Sequence, residues 1–254
     1  MTARNVLITG MSGLIGGVVY EHLNSVGKYA LSALNRRDVP GIKLWRADIA
    51  DLDAIRPAFE GVDVVVHLAA MAQGDAAWEE VLEPNIIGTY NVFEASRQAG
   101  VKRIVYASSG STISRWELDY PYSALAQGRY DEAPETWEKI THKSPVRPDG
   151  LYGASKVWGE ALARHFSDNC GISTICVRIG AVTAENRPRQ PREFAVWCSH
   201  RDIAQMVEKC IEAPDSVRFD IFYAVSNNKW GYRDFSHASD VIGYEPQDSA
   251  ETHR

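Results

Sequence analysis

A glycine-rich turn near the amino terminus constrains what this chain can fold into more than any other feature. The turn, Thr9 to Gly16, reads TGMSGLIG, follows the apolar run Asn5–Ile8 and opens the helical pattern Leu14–Ser25. Glycines permit a tight turn and close packing of a helix on a strand, and the free N–H groups and positive dipole of a helix start attract phosphate. Since strand, turn and helix follow one another in the required order, the segment predicts a nucleotide-binding βαβ unit.

The first two-thirds of the chain alternates short β-branched runs with longer helical patterns, which indicates a parallel sheet. The predicted strands are Asn5–Ile8, Ala30–Ala33, Leu44–Arg46, Val64–His67, Arg103–Ala107, Thr174–Arg178 and Asp220–Ala224. The predicted helices are Leu14–Ser25, Leu52–Phe59, Trp78–Gln98, Tyr152–Asp168 and Asp202–Ala213. The run Val64-Val65-Val66 is apolar throughout, as in strands that helices cover on both faces. The predicted fold class is therefore α/β, a Rossmann-type doubly wound parallel sheet with helices on both faces.

At 254 residues the chain is long enough for one such domain and does not require two. Two irregular regions, 111–150 and 183–194, are long loops of the kind that is usually functional or disordered. We predict a single NAD(P)-binding domain over residues 1–254, in which residues 183–254 supply most of a small substrate-binding part.

Charge and hydropathy argue against several classes of partner. The net charge of −6 and the pI near 5.7 disfavour a nucleic-acid or anionic-membrane surface, which needs a clustered basic face. The most apolar stretch, residues 62–72, contains Asp63 and His67 and is too short to span a membrane. A strand begins within a few residues of Met1, which leaves no room for a secretory signal. We expect a cytoplasmic protein that binds a small molecule.

The cysteines indicate neither a metal site nor secretion. Cys170, Cys176, Cys198 and Cys210 are scattered and form no CxxC pair and no Cys/His cluster at metal-ligand spacing. We predict no metal and interpret the four as buried thiols in a reducing compartment, with a disulfide as the alternative.

Three polar side chains form a candidate catalytic group. Tyr152 and Lys156 start a helix and lie one turn apart on one face. A tyrosine with a pKa near 10 is a poor base at neutral pH, and a neighbouring ammonium and the positive end of a helix both favour its phenolate. Ser109 follows the strand Arg103–Ala107, at the sheet edge where ligands of open α/β sheets bind. Because a tyrosine and a lysine four apart are also an ordinary helix pair, only their combination with Ser109 and the glycine turn predicts catalysis.

The end of the second predicted strand bears on the choice of cofactor. It reads Asn35-Arg36-Arg37, with no carboxylate before Asp38, where an NAD-specific site normally offers an acidic residue to the ribose hydroxyls. Two arginines can pair with a 2′-phosphate through charge-assisted hydrogen bonds, which favours NADP over NAD. The alternative is a pair of solvated surface arginines.

With these motifs the sequence resembles the extended short-chain dehydrogenase/reductase family, which includes NAD-dependent epimerases and dehydratases, over nearly the whole chain. The segments that carry the resemblance are TGMSGLIG, Ala47-Asp48-Ile49, His67-Leu68-Ala69-Ala70, Asn85-Ile86-Ile87-Gly88-Thr89, Tyr106-Ala107-Ser108-Ser109 and Tyr152-Gly153-Ala154-Ser155-Lys156. The resemblance implies that Asp48 and Ile49 contact adenine and that Ala69 flanks the cofactor. It also implies that Lys156 holds the nicotinamide ribose and that Ser109 hydrogen-bonds the reacting oxygen. The predicted cofactor-binding residues are Gly10, Ser12, Gly13, Leu14, Ile15, Gly16, Asn35, Arg36, Arg37, Asp48, Ile49, Leu68, Ala69, Ala70, Asn85, Ala107, Tyr152, Lys156 and Ile179.

Within that family the carboxyl-terminal half is similar to uronate dehydrogenases, which oxidise the anomeric carbon of a sugar acid to a lactone. The similar stretches are Arg147 to Gly153, Val177 to Gly180 and Val196 to Asp202. In those enzymes an arginine shortly before the tryptophan receives the substrate carboxylate, and the resemblance assigns that role to Arg192. The predicted substrate-binding residues are Met71, Ala72, Ser109, Gly110, Ser111, Tyr152, Ala181 and Arg192.

The sequence departs from those relatives in the substrate region. Where they have small polar residues it has Ala72, Gly110-Ser111 and Ala181, so several hydroxyl contacts are lost. The interval between Ser109 and Tyr152 is also longer than is usual in the family. Its aromatic residues form either a wall or lid over the substrate or a surface excursion that buries its own aromatics.

We predict an NAD(P)-dependent oxidoreductase that uses Ser109, Tyr152 and Lys156 to oxidise a CH–OH group of a small sugar or sugar acid, at C1 to a lactone. We expect a monosaccharide-sized substrate because the stretch after Lys156 is short and has to supply core strands as well. The alternatives are a sugar epimerase or dehydratase that retains NAD and a non-catalytic NADP-binding sensor. The helices Trp78–Gln98 and Tyr152–Asp168 are those through which relatives commonly pair, so we expect a homodimer.

Overall fold

Seven parallel strands form one sheet in the centre of the protein. The computed structural model describes residues 3–254. Its strands are β1 Arg4–Thr9, β2 Tyr29–Asn35, β3 Lys43–Arg46, β4 Val64–His67, β5 Arg103–Ser109, β6 Ser173–Ile179 and β7 Phe219–Ala224. They lie in the order β3-β2-β1-β4-β5-β6-β7, and every neighbouring pair is parallel. The predicted doubly wound parallel sheet is confirmed, and its strand order changes direction between β1 and β4.

Residues 3–254 contain the five predicted helices, two of which are divided, and three short α-helices that were not predicted. The α-helices are α1 Leu14–Val26, α2 Leu52–Ile55, α3 Trp78–Val81, α4 Gly88–Ala99, α5 Tyr122–Ala126, α6 Leu151–Cys170, α7 Glu193–Val196, α8 His200–Ile211 and α9 Ser236–Ile242. The predicted helix Leu52–Phe59 is α2 followed by a 3₁₀ turn, Arg56–Phe59, with a proline near its start. The predicted helix Trp78–Gln98 is α3, a π-helical turn, Leu82–Ile87, and α4. Pro84 lies inside that turn and has no N–H to donate to a regular helical ladder.

Each strand of the sheet buries side chains on both faces. In β4, Val64 and Val66 pack into one core cluster with α1 and α8, and Val65 packs into a second cluster with α4 and α6. Because successive side chains of a strand point to opposite faces, a strand covered on both sides has to be apolar throughout. The helices occupy the faces of the sheet and leave the carboxyl ends of its strands open to a ligand.

A third apolar cluster joins the segment 111–150 to the carboxyl-terminal part of the chain. Tyr122 packs edge to face on Tyr232 with ring centroids 5.7 Å apart, and Tyr130 stacks on Trp230 at 4.1 Å. Aromatic residues of the segment 111–150 are therefore buried against the carboxyl-terminal part of the chain.

The cysteines are free, and three of the four are buried. The prediction that all four are buried is wrong for Cys170, which is exposed because it lies at the solvent-facing end of α6. Within residues 3–254, no helix combines the length and the apolar character that crossing a membrane requires. In the same range, no cluster of His, Cys, Asp and Glu side chains is arranged to hold a metal ion.

Candidate active site

A cleft of about 490 Å³ opens at the carboxyl edge of the sheet, where the strand order changes direction. Small-molecule sites in α/β proteins occur at this place and in this range of size. Every predicted cofactor-binding residue except Asn85 lines the cleft. Six further lining residues were not predicted as site residues, namely Leu34, Ala47, Pro84, Ser108, Gly180 and Val182.

The glycine turn fits closely between β1 and the loop that follows β4. Gly10 has a φ of +72°, and a Cβ there would lie 2.7 Å from the backbone nitrogen of Ala69. A Cβ on Gly16 would lie 2.4 Å from the carbonyl oxygen of Gly10, whereas a Cβ on Gly17 would have nothing within 4 Å. Gly10 and Gly16 are therefore required by close approach of the backbone, and they bring the start of α1 against the cleft.

The first turn of α1 leaves N–H groups free beside the cleft. Helical hydrogen bonding begins at Gly17, whose N–H donates to the carbonyl oxygen of Gly13 at 2.9 Å. The N–H groups of residues 14–16 precede that bond and have no acceptor in the helix, and no side chain caps Gly13. Nor does an acidic residue lie in this turn. Donors at the positive end of a helix suit a diphosphate, so this wall of the cleft fits a dinucleotide cofactor.

The end of β2 forms the wall where the adenosine ribose of such a cofactor is expected. The side-chain amide of Asn35 donates to Ser12 Oγ at 2.9 Å and to the carbonyl oxygen of Arg37 at 2.7 Å. Arg36 lies 3.5 Å from Asp48, with side chains 75% and 48% exposed. An exposed ion pair of this kind contributes only ~0–1 kcal/mol, so it leaves the guanidinium available to a ligand. Arg37 is exposed on the same wall.

Asn85 does not line the cleft, in contrast to the cofactor contact predicted for it. Its amide oxygen accepts from the N–H of Met71 at 2.8 Å, and its amide nitrogen donates to the carbonyl oxygen of Met71 at 2.9 Å and to Ser155 Oγ at 3.0 Å. These bonds satisfy a side chain that is fully buried in the π-helical turn. Asn85 therefore fastens the loop after β4 to α6.

Ser109, Tyr152 and Lys156 lie together along the cleft. Ser109 at the end of β5 and Tyr152 in the first turn of α6 line the same part of the cleft. Lys156 is 2% exposed, its Nζ donates to the carbonyl oxygen of Ala107 at 2.8 Å, and it lies 5.8 Å from the centroid of the Tyr152 ring. The neighbouring strand and helix thus bring together the three residues predicted as the catalytic group.

Burial controls the protonation of this group. It lowers the pKa of Lys156 to about 7, because the surroundings disfavour the ammonium form. It also raises the pKa of Tyr152, although the nearby hydroxyl of Ser109 acts in the opposite direction. Contrary to the sequence-based expectation, the surroundings here favour the phenol and not the phenolate at neutral pH. Strongly shifted pKa values in a cleft are typical of functional sites.

A buried ion pair supports β5 and β6 behind these residues. The guanidinium of Arg178 forms two hydrogen bonds of 2.8 Å with the carboxylate of Glu160, and Ser108 Oγ donates to the same carboxylate at 2.6 Å. Neither Arg178 nor Glu160 was predicted as part of the site. The signal for Glu160 is its spacing from Lys156, since four residues place both on one face of α6.

The predicted substrate-binding residues divide into two groups. Ala72, Ser109 and Tyr152 line the cleft, whereas Met71, Gly110, Ser111, Ala181 and Arg192 do not. Among the described residues, none from 111–150 lines it either. The long segment therefore resembles a surface excursion more than a lid, with the difference that it buries its aromatics against the carboxyl-terminal part.

Arg192 lines a separate hollow of about 350 Å³, together with Arg115, Glu117 and Asp149. Its guanidinium is paired with Glu117, with Nε 2.5 Å from Oε2 and Nη2 2.8 Å from Oε1. Nη2 also donates to Ser114 Oγ at 3.2 Å, and Ser114 Oγ donates to the carbonyl oxygen of Gly110 at 3.1 Å. The role predicted for Arg192 assumed a free guanidinium, and the structure instead joins it to a carboxylate 75 residues away in sequence.

Arg233 is a buried cation behind Gly110 and Glu117 that lines neither the cleft nor the hollow and was not predicted. It is buried, with Nη2 3.4 Å from the carbonyl oxygen of Gly110 and 3.6 Å from Oε1 of Glu117. A Cβ on Gly110 would lie 1.9 Å from Nη1 of Arg233, so the glycine after Ser109 leaves room for this guanidinium. Nothing in the sequence pattern connects Arg233 with Gly110.

Comparison with known proteins agrees with this geometry. Residues 6–243 match the NAD dependent epimerase/dehydratase family. The NAD-dependent glucose-6-phosphate dehydrogenase of Haloferax volcanii is 32% identical over 96% of this chain and 94% of its own length. The L-arabinose 1-dehydrogenase (NAD(P)(+)) of the same organism is 33% identical over 97% and 98%. The crystal structure of uronate dehydrogenase from Agrobacterium tumefaciens superposes with a TM-score of 0.84 and 34% identity, covering 100% of this chain and 88% of that one.

The fold, the cleft and these similarities define the class of the protein. The chain belongs to the NAD dependent epimerase/dehydratase family, which confirms the resemblance found in the sequence. It is an NAD(P)-dependent dehydrogenase of the extended short-chain dehydrogenase/reductase type.

Proposed function

We propose that this protein oxidises C1 of a small sugar or sugar acid to a lactone, using Ser109, Tyr152 and Lys156. The observation that carries the proposal is the position of Ser109 and Tyr152 beside the buried Lys156, in the same cleft as the phosphate-binding turn. Oxidation of an alcohol requires a proton acceptor, a hydroxyl that orients the reacting oxygen and a cofactor-binding turn in one cleft. The relatives, by their names, act on uronate, L-arabinose and glucose 6-phosphate, which supports a sugar as substrate.

The chain's own groups divide the chemistry among them. Tyr152, in its phenolate form, accepts the proton of the anomeric hydroxyl, and Ser109 orients the oxygen that loses it. Lys156 lies one turn away and, when protonated, favours the phenolate form of Tyr152. A bound nicotinamide supplies the acceptor for the hydride that leaves C1.

We further propose that NADP is favoured over NAD. The support is the exposed pair Arg36 and Arg37 on the cleft wall, together with an amide, Asn35, where a ribose-binding carboxylate would otherwise stand. Two other expectations, a homodimer and a cytoplasmic location, stay predictions.

A sugar epimerase or dehydratase that retains NAD is the second candidate, because that chemistry uses the same cofactor cradle and the same family includes it. It differs in leaving the absorbance at 340 nm unchanged after turnover. The remaining alternative, a non-catalytic NADP-binding sensor, is disfavoured because Ser109, Tyr152 and Lys156 lie together in the cleft.

The test is a panel of aldoses, uronic acids and simple alcohols, each assayed with NAD and with NADP at 340 nm. We expect reduction of the cofactor with at least one monosaccharide and none with simple alcohols. Tyr152→Phe should lose at least about a thousandfold in kcat while it binds the cofactor as wild type does. Tyr90→Phe, which changes an exposed tyrosine, is the matched control. An active Tyr152→Phe protein, or reduction with alcohols alone, contradicts the proposal.

A further inference from the structure

Lys156 is a buried cation with few partners. An ammonium carries three N–H groups, and among residues 3–254 the carbonyl oxygen of Ala107 is the one hydrogen-bond acceptor that Nζ reaches. Glu160 lies one turn further along the same face of α6, but its oxygens already accept hydrogen bonds from Arg178 and Ser108. A buried charge is costly without compensation, so the remaining groups beside Lys156 decide how much of its ammonium form exists.

The titratable groups beside Lys156 carry no negative charge near pH 7. Each element packed around the amine contributes one: His67 from β4, Tyr106 from β5, Cys176 from β6 and Tyr152 from α6 itself. Burial lowers the pKa of His67 to about 3 and raises the pKa values of the two tyrosines and the cysteine. All four side chains are therefore neutral, and none of them is a counter-ion for the ammonium.

The ring of Tyr106 is the nearest aromatic face to the ammonium among the described residues. Nζ of Lys156 lies 5.0 Å from the centroid of this ring and 5.8 Å from the centroid of the Tyr152 ring. The negative face of an aromatic ring attracts a cation within about 6 Å, most strongly where water is excluded. Lys156 is 2% and Tyr106 0% exposed. The Tyr106 ring therefore compensates the charge that no carboxylate compensates.

Packing fixes the orientation of the Tyr106 ring. Phe93 packs edge to face on it with ring centroids 6.1 Å apart, and the ring of His67 lies 5.8 Å away. A Cβ on Gly159 would overlap the hydroxyl oxygen of Tyr106, so the glycine three residues after Lys156 leaves room for this ring against α6. The hydroxyl has no hydrogen-bond partner within residues 3–254. The ring is thus held by its neighbours and not by a hydrogen bond of its own.

We infer that Tyr106 is a positioning residue for proton transfer, whose ring face retains the ammonium form of Lys156 and through it favours the phenolate of Tyr152. The inference rests on the proposed function and adds a residue to it. In the reactive form of the pair, the proton is on Lys156 and Tyr152 has none. In the competing form, the proton is on Tyr152 and Lys156 is neutral. The Tyr106 ring stabilises the first of these forms and not the second.

This role predicts a particular change in the pH dependence of kcat/KM. At acid pH Lys156 and Tyr152 are both protonated, and the reactive form arises by loss of the Tyr152 proton alone, which the Tyr106 ring does not affect. At higher pH one proton has left the pair and the two forms compete, so loss of the ring lowers the plateau. We expect Tyr106→Leu to have nearly the wild-type kcat/KM at pH 5.5, a plateau about tenfold lower, and an apparent pKa lower by about one pH unit.

A second measurement is independent of turnover. Because the ring stabilises only the ammonium, Tyr106→Leu should be destabilised more at pH 5.5 than at pH 9, and the ratio of its unfolding constant to that of wild type should change about tenfold between them. Tyr106→Phe restores the ring and should restore both wild-type pH dependences. Phe59→Leu is the control, since it removes a buried ring of the same core cluster that is not one of the two beside Lys156. Its effect on unfolding should be the same at both pH values.

A second variant keeps the test decisive if Tyr106→Leu does not fold. A fluorinated phenylalanine at position 106 keeps the shape of the ring but withdraws charge from its face, and it should shift both measurements in the same direction as leucine. A pH-independent difference in unfolding, or a kcat/KM plateau equal to that of wild type, overturns the inference and leaves the proposed oxidation intact. If no sugar reduces the cofactor, the proposed function falls, and the role of Tyr106 in proton transfer falls with it.

Discussion

The buried Lys156 allows a quantitative prediction of how the free energy of unfolding depends on pH. It is 2% exposed, and burial lowers its pKa from the ordinary 10.5 to about 7. Each pKa unit corresponds to about 1.4 kcal/mol, so a fully protonated Lys156 destabilises the fold by about 5 kcal/mol relative to the neutral amine. Between pH 7 and pH 10.5 the unfolded chain binds more protons than the folded one. The contribution of Lys156 to the free energy of unfolding therefore rises with pH across that window.

The perturbation is Lys156→Met, which keeps the length of the side chain and removes the titrating group. At pH 7 the variant should be more stable than wild type by about 3 kcal/mol, after allowing about 1 kcal/mol for the hydrogen bond that the carbonyl oxygen of Ala107 loses. By pH 9 the wild-type penalty falls by about 2 kcal/mol, so the two proteins approach each other. Urea unfolding followed by tryptophan fluorescence at both pH values measures the difference.

The control is Lys102→Met, which makes the same change at an exposed position. Its difference from wild type should be small and should not vary between pH 7 and pH 9. The reasoning is refuted if Lys156→Met is less stable than wild type at pH 7, or if the difference between them is the same at both values. Either result would mean that protonation of the buried Lys156 amine does not destabilise the fold.

Three further predictions concern the glycine turn, the choice between NADP and NAD, and the stability of the fold at acid pH. Gly16→Ala should lose about 1–3 kcal/mol of stability and bind the cofactor weakly, because its Cβ would lie 2.4 Å from a backbone oxygen. Gly17→Ala is the control, since its Cβ would have nothing within 4 Å, and it should be neutral or slightly stabilising. Urea unfolding and titration with the cofactor measure both variants. Replacing Arg36 and Arg37 by alanine should raise the Kd for NADP about tenfold or more and leave the Kd for NAD nearly unchanged. An equal effect on both Kd values would show that neither arginine binds the 2′-phosphate. Burial lowers the pKa of His67 to about 3, so the unfolded chain binds the extra proton and stability falls as pH drops from 6.5 toward 3. Unfolding of His67→Gln should show a flatter dependence over that window, and identical slopes would contradict the account.

Local sequence patterns were enough to predict the parallel sheet and the proximity of Ser109, Tyr152 and Lys156. The apolar run of β4 has to face two cores, and the glycines at positions 10 and 16 are needed by backbone contacts that no side chain could tolerate. Tyr152 and Lys156 share a helix face through their spacing, and Ser109 ends a parallel strand, so topology alone brings the three to one edge.

Contacts between segments distant in sequence could not be predicted from local sequence patterns. Arg192 and Glu117 are joined only after the segment 111–150 packs its aromatics against the carboxyl-terminal part, and neither periodicity nor a turn motif specifies that packing. Asn85 lies in a stretch typical of cofactor contacts, but the π-helical turn around Pro84 turns its amide toward Met71. The fold and the proximity of Ser109, Tyr152 and Lys156 follow from local pattern, whereas the pairing of Arg192 with Glu117 follows from tertiary structure.

Transfer of hydrogen from C1 is the most direct test of the proposed oxidation. An aldose that the panel identifies as a substrate is prepared with deuterium at C1 and incubated with the protein and oxidised cofactor. We predict that the reduced nicotinamide gains one deuterium, that the sugar product is the unlabelled lactone or its aldonic acid, and that the two form in equal amounts. Reduced cofactor without deuterium would place the reaction at another carbon. Recovery of an isomerised sugar that retains the label, with no net reduction, would identify an epimerase and contradict the proposal.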